Sequence, residues 1–319
     1  MNILITGITG FFGSELAREF SQMGNIHGLK RRGSTTSLLD TYGFPIHWHH
    51  GELSDSDSLL DALTGIDLVI HCAGLVSFSA KDKNRLYEVN TIGTANLVNA
   101  MLIAGVTKLV HVSSVAAIGR SPELKVITEE YKWTDSPLNT EYAVSKYLAE
   151  LEAWRGEQEG IELIVINPSV LLGKASYGKS STTIYGYVLN ENRFFPNGDL
   201  NYIDVRDAAK ITKLLVEKGA WGERFILNRE AISFEVFFGA VAAIFGKRAP
   251  NLPLSDWQVS VFLWVVTLFR FLGLNAFPVD KKTAKLSQQK IYFDNSKTQK
   301  LLAYDYFSLK ESLEWAKRP

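Results

Sequence analysis

The chain carries a single cysteine, Cys72, among its 319 residues. It has no partner for an internal disulfide, so the fold cannot rest on bridges made in an oxidising compartment, and a cytoplasmic protein is expected. Excess charge of either sign is also missing. Lys plus Arg and Asp plus Glu number 34 each, which leaves no global field to draw the chain to nucleic acid or an anionic membrane. No apolar run reaches the roughly 20 residues that a spanning helix needs. The longest, Val259 to Leu274, is interrupted by Arg270. It reads as a buried helix, with an interface or a peripheral membrane contact as the less favoured alternatives. A first strand that begins almost at the first residue leaves no room for a secretory leader. Histidines are sparse, and although His47, His49 and His50 stand close together, no cysteine or carboxylate cluster completes a ligand set, so no metal is expected.

What is present is a chain that is 46% hydrophobic, enough for a large core. It opens with Ile3-Leu4-Ile5, then Thr6-Gly7-Ile8-Thr9-Gly10-Phe11-Phe12-Gly13, then a helical pattern from Ser14 to Phe20. A strand, a glycine-spaced turn and a helix form a phosphate-binding arrangement, because glycine lets the backbone approach an anion that the helix start attracts. A second strand ends near Lys30-Arg31-Arg32. In dinucleotide-binding folds a carboxylate about 20 residues beyond the loop takes the ribose hydroxyls, whereas arginine there takes a 2′-phosphate. This window offers cations and no carboxylate, which favours NADP(H) over NAD(H), unless the three cations are merely solvated.

Strands continue to alternate with helical stretches. Asp67 to Gly74 ends in the small residues Ala73 and Gly74, which leave room for a cofactor, and Lys108 to Val112 ends in Ser113-Ser114. This alternation predicts an α/β fold with a doubly wound parallel sheet, whose ligands sit at the carboxyl ends of the strands. Ser113 and Ser114 should both face that crevice, although adjacent serines also serve as turn formers and helix caps. Tyr142 and Lys146 then fall four apart on one helix. An ammonium beside a phenol lowers its pKa and suits it to proton transfer, but the same spacing arises by chance in many helices.

The glycine loop, Ser114 and the Tyr142-x-x-x-Lys146 pair together resemble the short-chain dehydrogenase/reductase superfamily, and the Gly7-x-x-Gly10-x-x-Gly13 spacing resembles its extended branch, the NAD(P)-dependent epimerase/dehydratase fold. Further matches are Asn90-x-x-Gly93-Thr94-x-Asn96-Leu97, Asn167-Pro168-Ser169, Tyr202 to Ala209, and Asp294-x-Ser296-Lys297. The resemblance implies an NAD(P)-dependent oxidoreductase in which Tyr142 exchanges a proton with the substrate oxygen. Lys146 would lower the pKa of Tyr142 and bind the nicotinamide ribose, while Ser114 would hold the developing oxyanion. Gly7, Gly10, Phe12 and Gly13 would meet the pyrophosphate. Arg31, helped by Lys30 and Arg32, would meet a 2′-phosphate, and Pro168 and Ser169 the nicotinamide. Asn90 fits either a helix-organising role or a proton relay.

Within the branch, Ser114-Val115-Ala116 stands where dehydratases carry an acid, and Pro196 to Asn201 lacks the cation of sugar-nucleotide enzymes. The pattern is closest to dihydroflavonol-reductase-like and 3β-hydroxysteroid-dehydrogenase-like members. The implied reaction is reduction of a ketone or aldehyde of a hydrophobic small molecule, or oxidation of the matching alcohol. An NDP-sugar epimerase is the alternative, and a regulatory protein that keeps the fold without the chemistry is a third reading. Residues 1–168 and 204–228 are assigned to an NADP-binding Rossmann domain. Residues 169–203 and 229–319 are assigned to a smaller, mostly helical substrate region, with Phe78, Ile118, Trp133 and Tyr185 as pocket candidates. A homodimer is compatible with the pattern.

Overall fold

A computed structural model describes residues 1–121, 123–174, 183–255, 257–258 and 281–318. The apolar stretch Val259 to Leu274 lies outside the described residues. At the centre is a sheet of seven parallel strands: β1 (Asn2–Thr6), β2 (Asn25–Lys30), β3 (Ile46–His50), β4 (Leu68–His71), β5 (Lys108–Val112), β6 (Glu162–Pro168) and β7 (Glu223–Leu227). Their spatial order is β7-β6-β5-β4-β1-β2-β3. The order reverses between β1 and β4, and a crevice opens at such a reversal.

Alternation along each strand splits the core into two layers. Ile3, Ile5, Leu68, Ile70, Val110, Ile164 and Ile166 face the helices Phe11–Phe20 and Val205–Glu217. Leu4, Val69, Leu109, Leu163 and Val165 face the helices Ser56–Leu63, Gly93–Ala104 and Glu141–Gln158. Both sheet faces are therefore covered, as a parallel sheet requires, and the strands read as near-continuous apolar runs.

A second region packs around Tyr202, Phe237 and Val241, with the helices Thr183–Leu189, Phe234–Phe245 and Leu309–Lys317. It holds more strand than its sequence suggested. Asp199–Asp204 lies between Val170–Leu172, to which it is parallel, and Glu230–Ser233, to which it is antiparallel. Phe194–Pro196 pairs with Leu252–Leu254, and Val126–Ile127 with Tyr292–Phe293. Strands of two to six residues are too short to show a period of two against their surroundings.

The C-terminal segment is fastened to the helix Val205–Glu217. The Asp207 carboxylate accepts hydrogen bonds from the Tyr304 hydroxyl at 2.9 Å and the Phe307 amide at 3.0 Å. The Arg206 guanidinium stacks against Phe307 and Trp315, 3.9 and 4.1 Å from their ring centres, and donates to Asp204.

Candidate active site

The glycine loop closes on itself when the Gly10 amide donates to the Gly7 carbonyl at 2.9 Å. Gly7 has φ of +68°, and a Cβ there would stand 2.6 Å from the Ala73 nitrogen. One on Gly13 would stand 2.2 Å from the Gly7 carbonyl oxygen. Backbone is thus packed on backbone, and only glycine fits. Gly10 caps the helix Phe11–Phe20 without a side chain, and no acid occupies the first turn. The Phe12 ring is buried in the core, so its amide is the part that can meet a phosphate.

Ala73 and Gly74 follow β4 beside this loop, where Asn90 holds the chain. The Asn90 amide group donates to Leu75 O at 3.0 Å and to the Ser145 hydroxyl at 3.0 Å, and its oxygen accepts from the Leu75 amide at 2.7 Å. Asn90 therefore ties the segment after β4 to the helix that carries Tyr142 and Lys146. At the end of β2, the Lys30 ammonium lies 4.4 Å from the Trp48 ring centre. Arg31 and Arg32 are exposed beside Gly33, whose φ of +80° turns the chain. At the end of β6, Pro168 precedes Ser169, whose buried hydroxyl has no hydrogen-bond partner. A free helix start, a close-packed glycine cradle, two exposed arginines and an orphaned hydroxyl fit a dinucleotide bound across the switch point.

The two serines after β5 go separate ways. Ser113 turns inward and donates to Glu150 at 2.6 Å, which corrects the expectation that both serines face the crevice. Strand alternation at period two sends neighbours to opposite sides. Ser114 caps the short helix Val115–Ile118 by accepting from the Ala116 amide, and its hydroxyl is one of the groups that lower the pKa of the Tyr142 phenol. The capping reading of Ser114 is therefore observed. Phe78, 46% exposed, meets Tyr142 edge-on at 5.7 Å between ring centres.

Tyr142 and Lys146 lie four residues apart on the helix Glu141–Gln158. Burial raises the Tyr142 pKa, and the Ser114 hydroxyl and the Arg120 charge oppose that rise. The Lys146 ammonium donates to Val112 O at 2.8 Å. Burial lowers its pKa to about 8, against raising effects from Cys72 and Glu150. Beneath lie His71 and His111, paired across β4 and β5 with their rings tilted by 43° at 5.4 Å. Burial and the nearby Lys146 charge hold His71 down to about 3 and His111 well below the ordinary histidine range, so both stay neutral.

Sequence reasoning missed the buried carboxylate of Glu150. It accepts from Ser113, from Asn167 at 2.9 Å and from Arg224 at 3.0 Å, while Asn167 also donates to Ser114 O at 2.9 Å. The signal was available, since Tyr142, Lys146 and Glu150 recur every four residues on one helix face. Arg224 arrives from β7 and had no such signal. Among the pocket candidates, Ile118 and Tyr185 are core residues, and Trp133 stacks on Tyr147 at 4.3 Å. Near β3, the His27 and His49 rings hydrogen-bond each other at 3.0 Å, and His47 stacks on His27.

Residues 3–227 match the model of the NAD dependent epimerase/dehydratase family. The chain belongs to that family. It is an NAD(P)-dependent oxidoreductase of the extended short-chain dehydrogenase/reductase type, and the family uses nicotinamide cofactors. It is 32% identical over 318 residues to a Synechocystis protein provisionally named dihydroflavonol 4-reductase, covering 97% of this chain and 91% of that one. It is 27% identical over 314 residues to cinnamoyl-CoA reductase 1 of Petunia hybrida, covering 90% and 92%. The crystal structure of gox2253 superposes with a TM-score of 0.84 at 30% identity, covering 98% of this chain and 96% of that one. Among the described residues, no helix is long and apolar enough to cross a membrane.

Proposed function

We propose that this family member is an NADPH-dependent carbonyl reductase acting on a ketone or aldehyde with an apolar body, the reverse alcohol oxidation being the same chemistry run backwards. The observation that carries the reading is the convergence of Tyr142, four residues before the buried Lys146 on one helix, with Ser114 at the end of β5, whose hydroxyl acts on the Tyr142 phenol. A phenol is protonated near neutrality and so is in the form that donates to a carbonyl oxygen, and a cofactor-bound Lys146 charge brought near it would make it the better donor. Ser114 would share the developing negative charge on that oxygen. The reduced nicotinamide supplies hydride when bound. Lys146, already free of any ion pair, would exchange its Val112 carbonyl partner for the nicotinamide ribose.

We assign Gly7, Gly10, Phe12 and Gly13 to the pyrophosphate, Ala73 and Gly74 to the passage of the cofactor over β4, and Pro168 and Ser169 to the nicotinamide. Arg31, with Lys30 and Arg32, is assigned to the 2′-phosphate; the exposure of Arg31 and Arg32 and the lack of a carboxylate after β2 support NADP(H) over NAD(H). Residues 1–168 and 204–228 would form the cofactor domain, and 169–203 and 229–319 the substrate side. A cytoplasmic location is inferred with this, in keeping with the single cysteine, Cys72.

The test is Tyr142→Phe. Turnover of a responsive ketone should fall about 10²-fold or more with NADPH affinity nearly unchanged. Full activity in that variant would remove Tyr142 as the acid. Tight binding of a UDP or GDP sugar, with no net NADPH consumption, would favour the epimerase alternative.

A further inference from the structure

A line of hydrogen bonds runs from the end of β4, beside the glycine loop, to the helix Glu141–Gln158. It starts at the Ala73 amide, which donates to the Thr6 hydroxyl at 3.2 Å, directly before Gly7. The Thr6 oxygen lies 2.7 Å from His71 Nδ1, and His71 Nε2 lies 2.9 Å from the Thr94 hydroxyl. Thr94 in turn donates to the Asn90 carbonyl at 2.6 Å. The Asn90 side chain donates to the Ser145 hydroxyl at 3.0 Å, and Ser145 donates to the Tyr142 carbonyl at 2.9 Å. Thr6, His71, Asn90, Thr94 and Ser145 are all buried.

The sense of the bonds around His71 follows from counting protons, since a hydroxyl has one to give. That of Thr94 goes to the Asn90 carbonyl, so towards His71 the Thr94 oxygen accepts, and the ring proton sits on Nε2. Burial holds the ring neutral, which leaves Nδ1 bare to take the Thr6 proton. Thr6 keeps a lone pair for the Ala73 amide. The bonds therefore all donate in one direction, from Ala73 towards Tyr142, and those up to the Asn90 carbonyl are continuous and polarise one another. The far end is a peptide carbonyl, which takes up no proton. The line fixes position and is not a proton wire.

We propose that His71 is a positioning residue for the reduction: its imidazole, clamped between Thr6 and Thr94, sets how far the cofactor cradle stands from the helix that carries Tyr142 and Lys146. This rests on the carbonyl-reductase reading and adds to it a residue that acts through its neighbours. His71 is bonded to side chains at both ring nitrogens, one at the end of β1 and one on the helix Gly93–Ala104, so it bridges elements that the chain itself does not join. A planar ring with an acceptor on one side and a donor on the other holds that span rigidly. Hydride donor and proton donor must meet one carbonyl group, and a misplacement of about 1 Å costs about 10²-fold in rate.

A double-mutant cycle tests the link, with NADPH affinity read by fluorescence titration and far-ultraviolet circular dichroism confirming each fold. In wild type, Thr94→Val should weaken NADPH about threefold or more, although Thr94 is reached from the cradle only through His71. In Thr6→Val or His71→Leu, where the line is already cut, the same substitution should change affinity less than about 1.5-fold. Losses that simply multiply overturn the inference, whether or not any ketone is reduced. With a responsive ketone at saturating NADPH, His71→Leu should lower kcat about tenfold or more and enlarge the isotope effect from NADPH deuterated at the transferred position. His71→Gln and His71→Asn, whose amides stand near the Nε2 and Nδ1 places, should each recover part of the loss. A kcat that stays at the wild-type value while urea stability falls would make His71 structural only, and a shifted pH profile of kcat would make it a proton carrier; either result overturns the inference. A wild type that reduces no ketone counts against the reductase reading, and the binding cycle still decides on the link through His71.

Discussion

Replacing Asp207 with Asn should change how the stability of this protein depends on pH. Asp207 is fully buried, 0% exposed, and so is Asp204 three residues earlier. Burial first, and the Asp204 charge second, raise the Asp207 pKa from 3.8 to about 7. The hydrogen bonds from Tyr304 and Phe307 and the Arg206 charge only partly oppose this. Because the folded value is the higher one, the native state holds a proton that the unfolded chain has released. The resulting stabilisation is complete below about pH 4 and is lost as pH rises to about 7. Three pKa units at about 1.4 kcal/mol each give about 4 kcal/mol as the upper bound. Asp207→Asn keeps one acceptor and cannot ionise. Relative to wild type, it should therefore gain up to about 4 kcal/mol between pH 4 and 7.5. Urea unfolding followed by tryptophan fluorescence at half-unit pH steps measures the difference. Parallel curves for the two proteins, within about 0.5 kcal/mol across that range, would refute the reasoning. The segment that pays is the C-terminal one, since Tyr304 and Phe307 are fastened through this carboxyl group.

Gly13→Ala would force the Gly7 carbonyl away from a Cβ only 2.2 Å off. NADPH affinity, read by fluorescence titration, should weaken about tenfold or more, the cost of a kcal/mol or two of backbone strain, while far-ultraviolet circular dichroism stays native. Glu150→Ala leaves Arg224, Ser113 and Asn167 without their shared acceptor. It should cost about 3 kcal/mol or more in urea unfolding; a loss below about 1 kcal/mol would mean that the network is loosely held. Arg31→Ala should raise KM for NADPH about tenfold or more and leave KM for NADH unchanged, and equal effects on both would remove the 2′-phosphate assignment.

Most of the sheet was legible because β1, β4, β5 and β6 carry near-continuous apolar runs and the crossovers a helical period, whereas Glu223–Leu227 was not singled out as a strand. Ile3-Leu4-Ile5 before a glycine-spaced turn allows few structures other than a strand leading into a phosphate-binding helix. The glycines were legible for a simple reason: a required absence of side chain is written directly in the sequence. The spacing of Tyr142 and Lys146 placed them on one helix face. Short strands such as Val126–Ile127 and Tyr292–Phe293 were not legible, because their partners lie far along the chain and two residues show no period. Which of two adjacent serines faces the crevice was likewise a tertiary matter, settled by Glu150 reaching Ser113 from another helix.

By itself, the amino-acid sequence determined the doubly wound fold, the glycine cradle and the helix that carries Tyr142, all of which follow from local periodicity and residue type. The tertiary structure alone decided the electrostatics. It sent the buried Lys146 ammonium to the Val112 carbonyl, turned Ser113 to Glu150 and set the Arg120 guanidinium over the Phe293 ring. Charge–charge and desolvation energies depend on distance and burial, and neither is set by position along the chain.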